Sequence, residues 1–391
     1  MIRLLQLTSK PPYPPRDGGA LAAAQLLEMW QALGWQAEGL TMHTPSHPFD
    51  PKASPSVPLT AVVVHSRPTL LGAGLNLLSR YPYHLVRFQS PAYAKALQQL
   101  VERFQPNLIQ VESLYLTPYV ANLSVPCVYR VHNIESQIWL RHSQQVTFPL
   151  SWYLRLQGQR IARYEAEAIH RYAGLLCISE KEADWARAQD YTGVCQVLPF
   201  AVEIERYPVA PLGNPCPKIG FLGSLEWLPN RHGLEWFLRQ VWPTFRRWYP
   251  EAKLSIAGRN PPAALYRYAD SSVQILGEIP DAQAFWQAHE IIVVPLFSGS
   301  GIRVKVIEAF AAGRAVIATP LAAESLMAQP GRHFLLATDA RSFAEALAEL
   351  YTDPLRRKEL GQAARHLAET TYNRRLLQEV LRTFYETLLG K

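Results

Sequence analysis

The sequence predicts an α/β protein built from two doubly wound, Rossmann-like domains facing a cleft. Three observations carry this prediction. Short apolar runs alternate with longer segments of helical period through the first half, a proline-rich stretch at 199–217 interrupts them, and the same rhythm then restarts. Alternation of that kind builds a parallel sheet with right-handed crossovers. A chain of 391 residues also exceeds what one hydrophobic core usually supports.

In the first half the apolar runs 2–8, 59–64, 108–111, 127–132 and 175–179 read as strands, and 18–33, 91–104 and 152–172 as helices. Glu165 and Glu167 share the last helix with Arg160, Arg163 and Arg171, so pairing along the helix accounts for them. Beyond the proline-rich linker, strands are expected at 218–225, 253–257, 273–276, 291–296 and 315–319. Helices are expected at 230–248 and 302–312, with further helical segments from Ala340 to the end. The domains are drawn at 1–205 and 206–375, with a final helix at 376–391 packing back on the first domain. Ligands of such sheets bind beyond the carboxyl ends of the strands.

The composition is 48% hydrophobic and 18% charged, which belongs to a folded globular protein. A net charge of +7 favours anionic partners, but it is spread thinly over both halves and no motif that reads DNA or RNA accompanies it, which argues against nucleic acid. Cys127, Cys177, Cys195 and Cys216 form no C-x-x-C pair and mostly lie in apolar runs, so reduced, buried thiols are expected. The apolar start is too short for a signal peptide and no run is long enough to span a bilayer, so the expected location is the cytoplasm.

The stretch 295–319 holds the most chemistry. A buried strand ends at Leu296, a Gly/Ser loop containing Ser300 and Gly301 follows, and a helix begins near Ile302. Free N–H groups at a helix start form an anion site. Arg303 and Lys305 stand in that first turn, where cations oppose the helix dipole unless an anion lies nearby. Their placement points to a phosphate ligand.

This stretch resembles the signature of the retaining GT-B glycosyltransferases of family 4, through Glu308-Ala-Phe-Ala-Ala-Gly-Arg-Ala-Val, and the resemblance extends over nearly the whole chain. It implies a nucleotide-diphosphate sugar as co-substrate with no resident cofactor or metal, bound mainly by the 206–375 domain, while 1–205 binds the acceptor. Glu308 would accept from the ribose hydroxyls, a task suited to a carboxylate facing a diol. The family usually carries a second glutamate where this chain has Ser300, so Ser300 with the N–H groups of Gly301 and Ile302 would position the sugar. The segment 221–233 resembles the family's first strand and loop of the nucleotide domain, with Ser224 in place of an arginine. Arg303 and Lys305 would then hold the diphosphate, helped by Asn230 or Arg231, with Trp227 as a further contact.

Pro14-Pro15-Arg16-Asp17-Gly18-Gly19 resembles the family's glycine loop, and Gly18 and Gly19 would let donor phosphate and acceptor approach the backbone. His132 ends an apolar run and resembles the family's acceptor-side histidine, able to donate to a sugar hydroxyl or meet the leaving group. No Asp-x-Asp occurs, so metal-independent transfer is expected, and the resemblance implies retention. A nucleotide-sugar epimerase and a catalytically silent GT-B scaffold are the rival readings. The acceptor is expected to be a glycan, a lipid-linked sugar or a small molecule. Between Pro51 and Val101, Lys52, Arg67, Arg80, Arg87 and Lys95 interleave with leucines and aromatics and no acidic residue occurs. This suits either peripheral contact with an anionic membrane, at its inner face, or a core-facing helix with a basic outer side.

Overall fold

The computed structural model describes residues 2–15, 17–53, 57–209, 211–299, 301, 303–324 and 326–390. The chain forms two compact units, one holding the chain up to Pro199 and from Gln378 onward, the other Phe200–Gly299 and Arg303–Leu377.

The first unit contains β1 (Arg3–Thr8), β2 (Gln36–His43), β3 (Leu59–Val63), β4 (Leu108–Val111), β5 (Cys127–Val131), β6 (Gly174–Cys177) and β7 (Val194–Val197). They form one sheet in the order β3-β2-β1-β4-β5-β6-β7, and all its pairs are parallel. The order reverses direction between β1 and β4, which opens a crevice beyond their carboxyl ends. Leu5, Leu7, Ile109, Val111, Tyr129 and Val131 pack in the core with Tyr93, Leu97 and Leu100 of the helix Pro91–Phe104. The helix Gly18–Ala32 starts at Asp17, whose side chain accepts from the Ala20 N–H. From the final helix, Arg374–Leu388, Tyr385 sets its ring edge-on against Trp30 and Trp35, 5.9 Å from each, and its hydroxyl donates to Gln110.

The second unit repeats the plan with β8 (Ile219–Leu222), β9 (Leu254–Ala257), β10 (Val273–Gly277), β11 (Ile291–Val294), β12 (Ala315–Ala318) and β13 (Leu335–Leu336). The order is β10-β9-β8-β11-β12-β13, again all parallel. Its switch point lies between β8 and β11.

The structure corrects several sequence expectations. The helix expected at 230–248 runs as Leu228–Trp236, a π-turn over Phe237–Val241 and Trp242–Trp248. Pro243 has no N–H for a regular helical bond, and a wider turn absorbs the gap just before it. Strands β2 and β7 were not foreseen: Gln36–His43 is buried only in its second half, and Val194–Val197 is a four-residue edge strand with no fully buried residue. Glu165 is not a surface ion-pair partner. It accepts from the Glu135 and Ser136 N–H groups at 2.7 and 3.2 Å and from the Ser136 hydroxyl at 2.7 Å, capping the helix Glu135–Ser143. The thiols are not uniformly buried either, since Cys216 is exposed and Cys195 half-buried.

The leucine-rich segment after β3 does not face the core. The helix Leu70–Leu75 has no buried residue, Leu70 and Leu78 are 95% and 91% exposed, and Leu71, Leu75 and Tyr81 are exposed with them. Among the described residues, no helix is long and apolar enough to cross a membrane.

Candidate active site

In the second unit the site grows from the ends of β8 and β11. The helix expected from Ile302 starts at Val304 and ends at Ala311, with Arg303 as its cap. Ser300 and Ile302 lie outside the described residues. Gly299 and Gly301, with φ of +99° and +89°, take the left-handed conformation that glycine adopts without strain, and they turn the chain from β11 into that helix. A side chain at Gly299 would also strike the Trp227 ring, 2.6 Å from the position of its first carbon.

Arg303 is buried, its guanidinium lying 5.7 Å from the centre of the Trp227 ring and donating Nη2 to the Gly299 carbonyl at 3.3 Å. Trp227, expected as a further contact at this site, carries Arg303 over its ring. Lys305 Nζ donates to Asn230 Oδ1 at 2.7 Å and sits 4.8 Å from the centre of the Phe221 ring. Asn230 in turn donates Nδ2 to the Ser224 carbonyl at 2.8 Å, so Ser224 enters through its backbone. Gly223 leaves room for this arrangement: a side chain there would come within 2.8 Å of Asn230 Nδ2 and 3.2 Å of Lys305 Nζ. Burial, then the charge of Arg303, lower the Lys305 pKa from 10.5 to about 7. Among the described residues no carboxylate pairs with Lys305, so two cations crowd one site at a helix start.

One turn further along the helix stands Glu308. Burial pushes its pKa up to about 7, against the opposing hydrogen bond that the Tyr207 hydroxyl donates to Oε1 at 2.9 Å. Burial and the same carboxylate raise Tyr207. A carboxylate held half-ionised near neutrality, with Oε2 left over, is ready to accept from a diol.

In the first unit, Gly18 and Gly19 open the helix behind Asp17. Lys10 Nζ lies 2.6 and 2.7 Å from the two Asp17 oxygens and would be 3.2 Å from a side chain at Gly19. Burial works against ionised Asp17, but Lys10 and the Ala20 N–H outweigh it and keep its pKa low. His132, just beyond β5, meets Glu112, just beyond β4, with Nε2 and Oε2 2.8 Å apart. Burial lowers the His132 pKa; Glu112 opposes this, while Arg130 and Lys10 add to it.

Comparison with known proteins now decides the family. The sequence model described as "Glycosyl transferase 4-like domain" matches residues 17–200, and that described as "Glycosyl transferases group 1" matches 216–353. This chain belongs to the group 1 glycosyl transferases. It is a glycosyltransferase of the GT-B fold, and the two matches fall on the two units described above. It is 22% identical over 363 residues to an uncharacterized 44.6 kDa protein in the cps region of Klebsiella pneumoniae, covering 88% of this chain and 90% of the relative. It is 27% identical over 203 residues to a phosphatidyl-myo-inositol mannosyltransferase of Mycobacterium leprae, covering 49% of this chain and 53% of that one. Its fold is that of sucrose-phosphate synthase from Thermosynechococcus elongatus, with a TM-score of 0.73 at 17% identity over 99% of each chain.

Arg303, Lys305, Glu308, Asn230 and Ser224 of this glycosyltransferase thus share one site in the second unit, and Gly18, Gly19 and His132 one end of the sheet in the first. Sequence reasoning missed Tyr207, Lys10 and Glu112. Tyr207 lies inside the stretch read as a linker, and Glu112 follows an apolar run with no motif around it; only Lys10, directly after β1, carried a positional signal.

Proposed function

We propose that this glycosyltransferase moves a sugar from a nucleotide-diphosphate sugar to a hydroxyl of a glycan or lipid-linked acceptor, with retention and without a metal. One observation carries the donor: Arg303 and Lys305 crowd a helix start one turn before Glu308, which puts two cations and one acceptor carboxylate, the groups that a diphosphate and a ribose call for, on one short helix. The cations take the charge that develops on the leaving diphosphate as the bond from its oxygen to the anomeric carbon breaks, a fixed electrostatic role. The acceptor oxygen bonds to that carbon and its proton passes to the departing phosphate. The anomeric carbon is oxocarbenium-like between the two events. Retention and the lack of a metal follow from the family resemblance and the missing Asp-x-Asp. Arg303→Ala should lower turnover about a hundredfold or more while leaving nucleoside binding nearly unchanged; equal turnover would remove Arg303 from the phosphate site.

The exposed apolar surface of the first unit supports an acceptor at an anionic membrane on the cytoplasmic side. Leu70, Leu71, Leu75 and Leu78 stand out beside exposed Arg67 and Arg80. The helix Leu150–Ile169, which follows exposed Phe148 and opens with exposed Leu150 and Trp152, is fastened to the same segment. Gln157 and Arg160 donate to Asn76, and Arg160 also to the Leu77 carbonyl, at 2.9–3.3 Å. Protruding leucines and aromatics with arginines around them fit the boundary between acyl chains and anionic headgroups. The lipid-linked substrate implied by the name of the mycobacterial relative agrees with this reading.

A further inference from the structure

The Glu112 carboxylate is 4% exposed, whereas the His132 side chain keeps 16%. On its inner side Glu112 Oε1 accepts from Gln6 Nε2 at 3.3 Å, and Gln6 is fixed by donating to the Ala23 carbonyl at 2.9 Å. Arg130 is 1% exposed and donates to the Ala22 carbonyl at 2.9 Å. Burial disfavours the charge on Glu112, but the His132 hydrogen bond and the field of Arg130 outweigh it and hold the pKa below the ordinary carboxylate value. Glu112 is therefore ionised, and an ionised carboxylate only accepts. The hydrogen between the two side chains must belong to His132 Nε2. With its own pKa lowered, the ring is neutral near neutral pH and Nδ1 carries a lone pair. No described residue bonds Nδ1.

We infer that Glu112 is a positioning residue: by taking the Nε2 hydrogen it makes His132 an acceptor through Nδ1, which takes a hydrogen bond from a hydroxyl of the bound sugar and gives none. This reverses the direction expected from sequence, in which His132 donates. It rests on the reading of His132 as a sugar-facing residue, and it narrows the ligand to a sugar with a free hydroxyl at the matching carbon. A fluorine there cannot donate.

The direct test is the nitrogen NMR spectrum of histidine-labelled full-length protein, with His132 assigned by its loss in His132→Gln. The expected pattern is a protonated Nε2 and a bare Nδ1; the opposite tautomer in the folded protein overturns the inference whether or not any variant is active. Kinetics give the second arm. Glu112→Gln should lower kcat about tenfold to a hundredfold, by analogy with metal-bound histidines that lose their orienting partner, with little change in KM for the nucleotide sugar. Added to His132→Ala it should cost nothing more, because it acts through that ring. Additive losses would show a structural role only and overturn the inference. Among nucleotide-sugar analogues with single hydroxyls replaced by fluorine, one should be poor for the wild type and no worse than its parent for His132→Ala. A wild type without any transferase activity would instead refute the proposed function and leave the tautomer result standing.

Discussion

Lys305→Met should make the free protein more stable while it weakens the donor site. The lowering of Lys305 from 10.5 to about 7 corresponds, at about 1.4 kcal/mol per unit, to about 5 kcal/mol against the charged form in the fold. Lys305 is half-buried, and screening by the water that reaches it leaves about half of that. Methionine conserves most of the volume and removes the charge, but it takes the donor from buried Asn230 Oδ1, a loss of about 1 kcal/mol. The balance is a gain of about 1–2 kcal/mol, or about 2–8 °C in Tm for a unit of this size. Because the folded pKa is depressed, the destabilisation is complete below about pH 7 and fades as the pH rises towards 10.5. The gain should therefore be clear in calorimetric scans at about pH 6 and shrink at about pH 9. A saturating nucleoside diphosphate should raise the Tm of the wild type and do much less for the variant. A variant less stable than the wild type at about pH 6, or a gain independent of pH, would refute the reading that a half-buried ammonium without a carboxylate partner among the described residues waits there for an anion.

Three further outcomes are expected. Binding a nucleoside diphosphate should raise the Lys305 pKa and lower that of Glu308, both about 7 in the free protein, so proton uptake and release largely cancel. Glu308→Gln should then show net uptake in calorimetry across buffers of different ionisation enthalpy, with affinity weakened by about 1.5–3 kcal/mol and falling as the pH rises above 7; unchanged affinity and no uptake would return Glu308 to the scaffold. Transfer, or hydrolysis of the donor, should continue undiminished in excess EDTA, and a loss restored by magnesium or manganese would overturn the metal-free mechanism. The full-length protein should sediment with anionic rather than neutral vesicles at low salt, and replacing Leu70, Leu71 and Leu78 by serine should abolish this. Equal binding to both vesicle types would remove the membrane from the account.

By itself the sequence determined the two-domain α/β plan, because alternation of apolar runs with helical segments depends on local period and survives any packing detail. It also exposed the helix with Arg303, Lys305 and Glu308, since cations at a helix start conflict with the dipole within a single turn of chain. What it could not determine were meetings between residues far apart. Glu308 finds Tyr207, Lys305 finds Asn230 and His132 finds Glu112 across 101, 75 and 20 positions, and the burial that comes with such packing is the first cause of the ionisation shift of each group. The leucines at 70–78 make the same point from the other side. An apolar segment with basic neighbours reads alike whether it faces a core or stands in solvent, and only the packing of the helix Leu150–Ile169 against Asn76 and Leu77 left those leucines outside, because burial is a property of what lies opposite a residue and not of the residue.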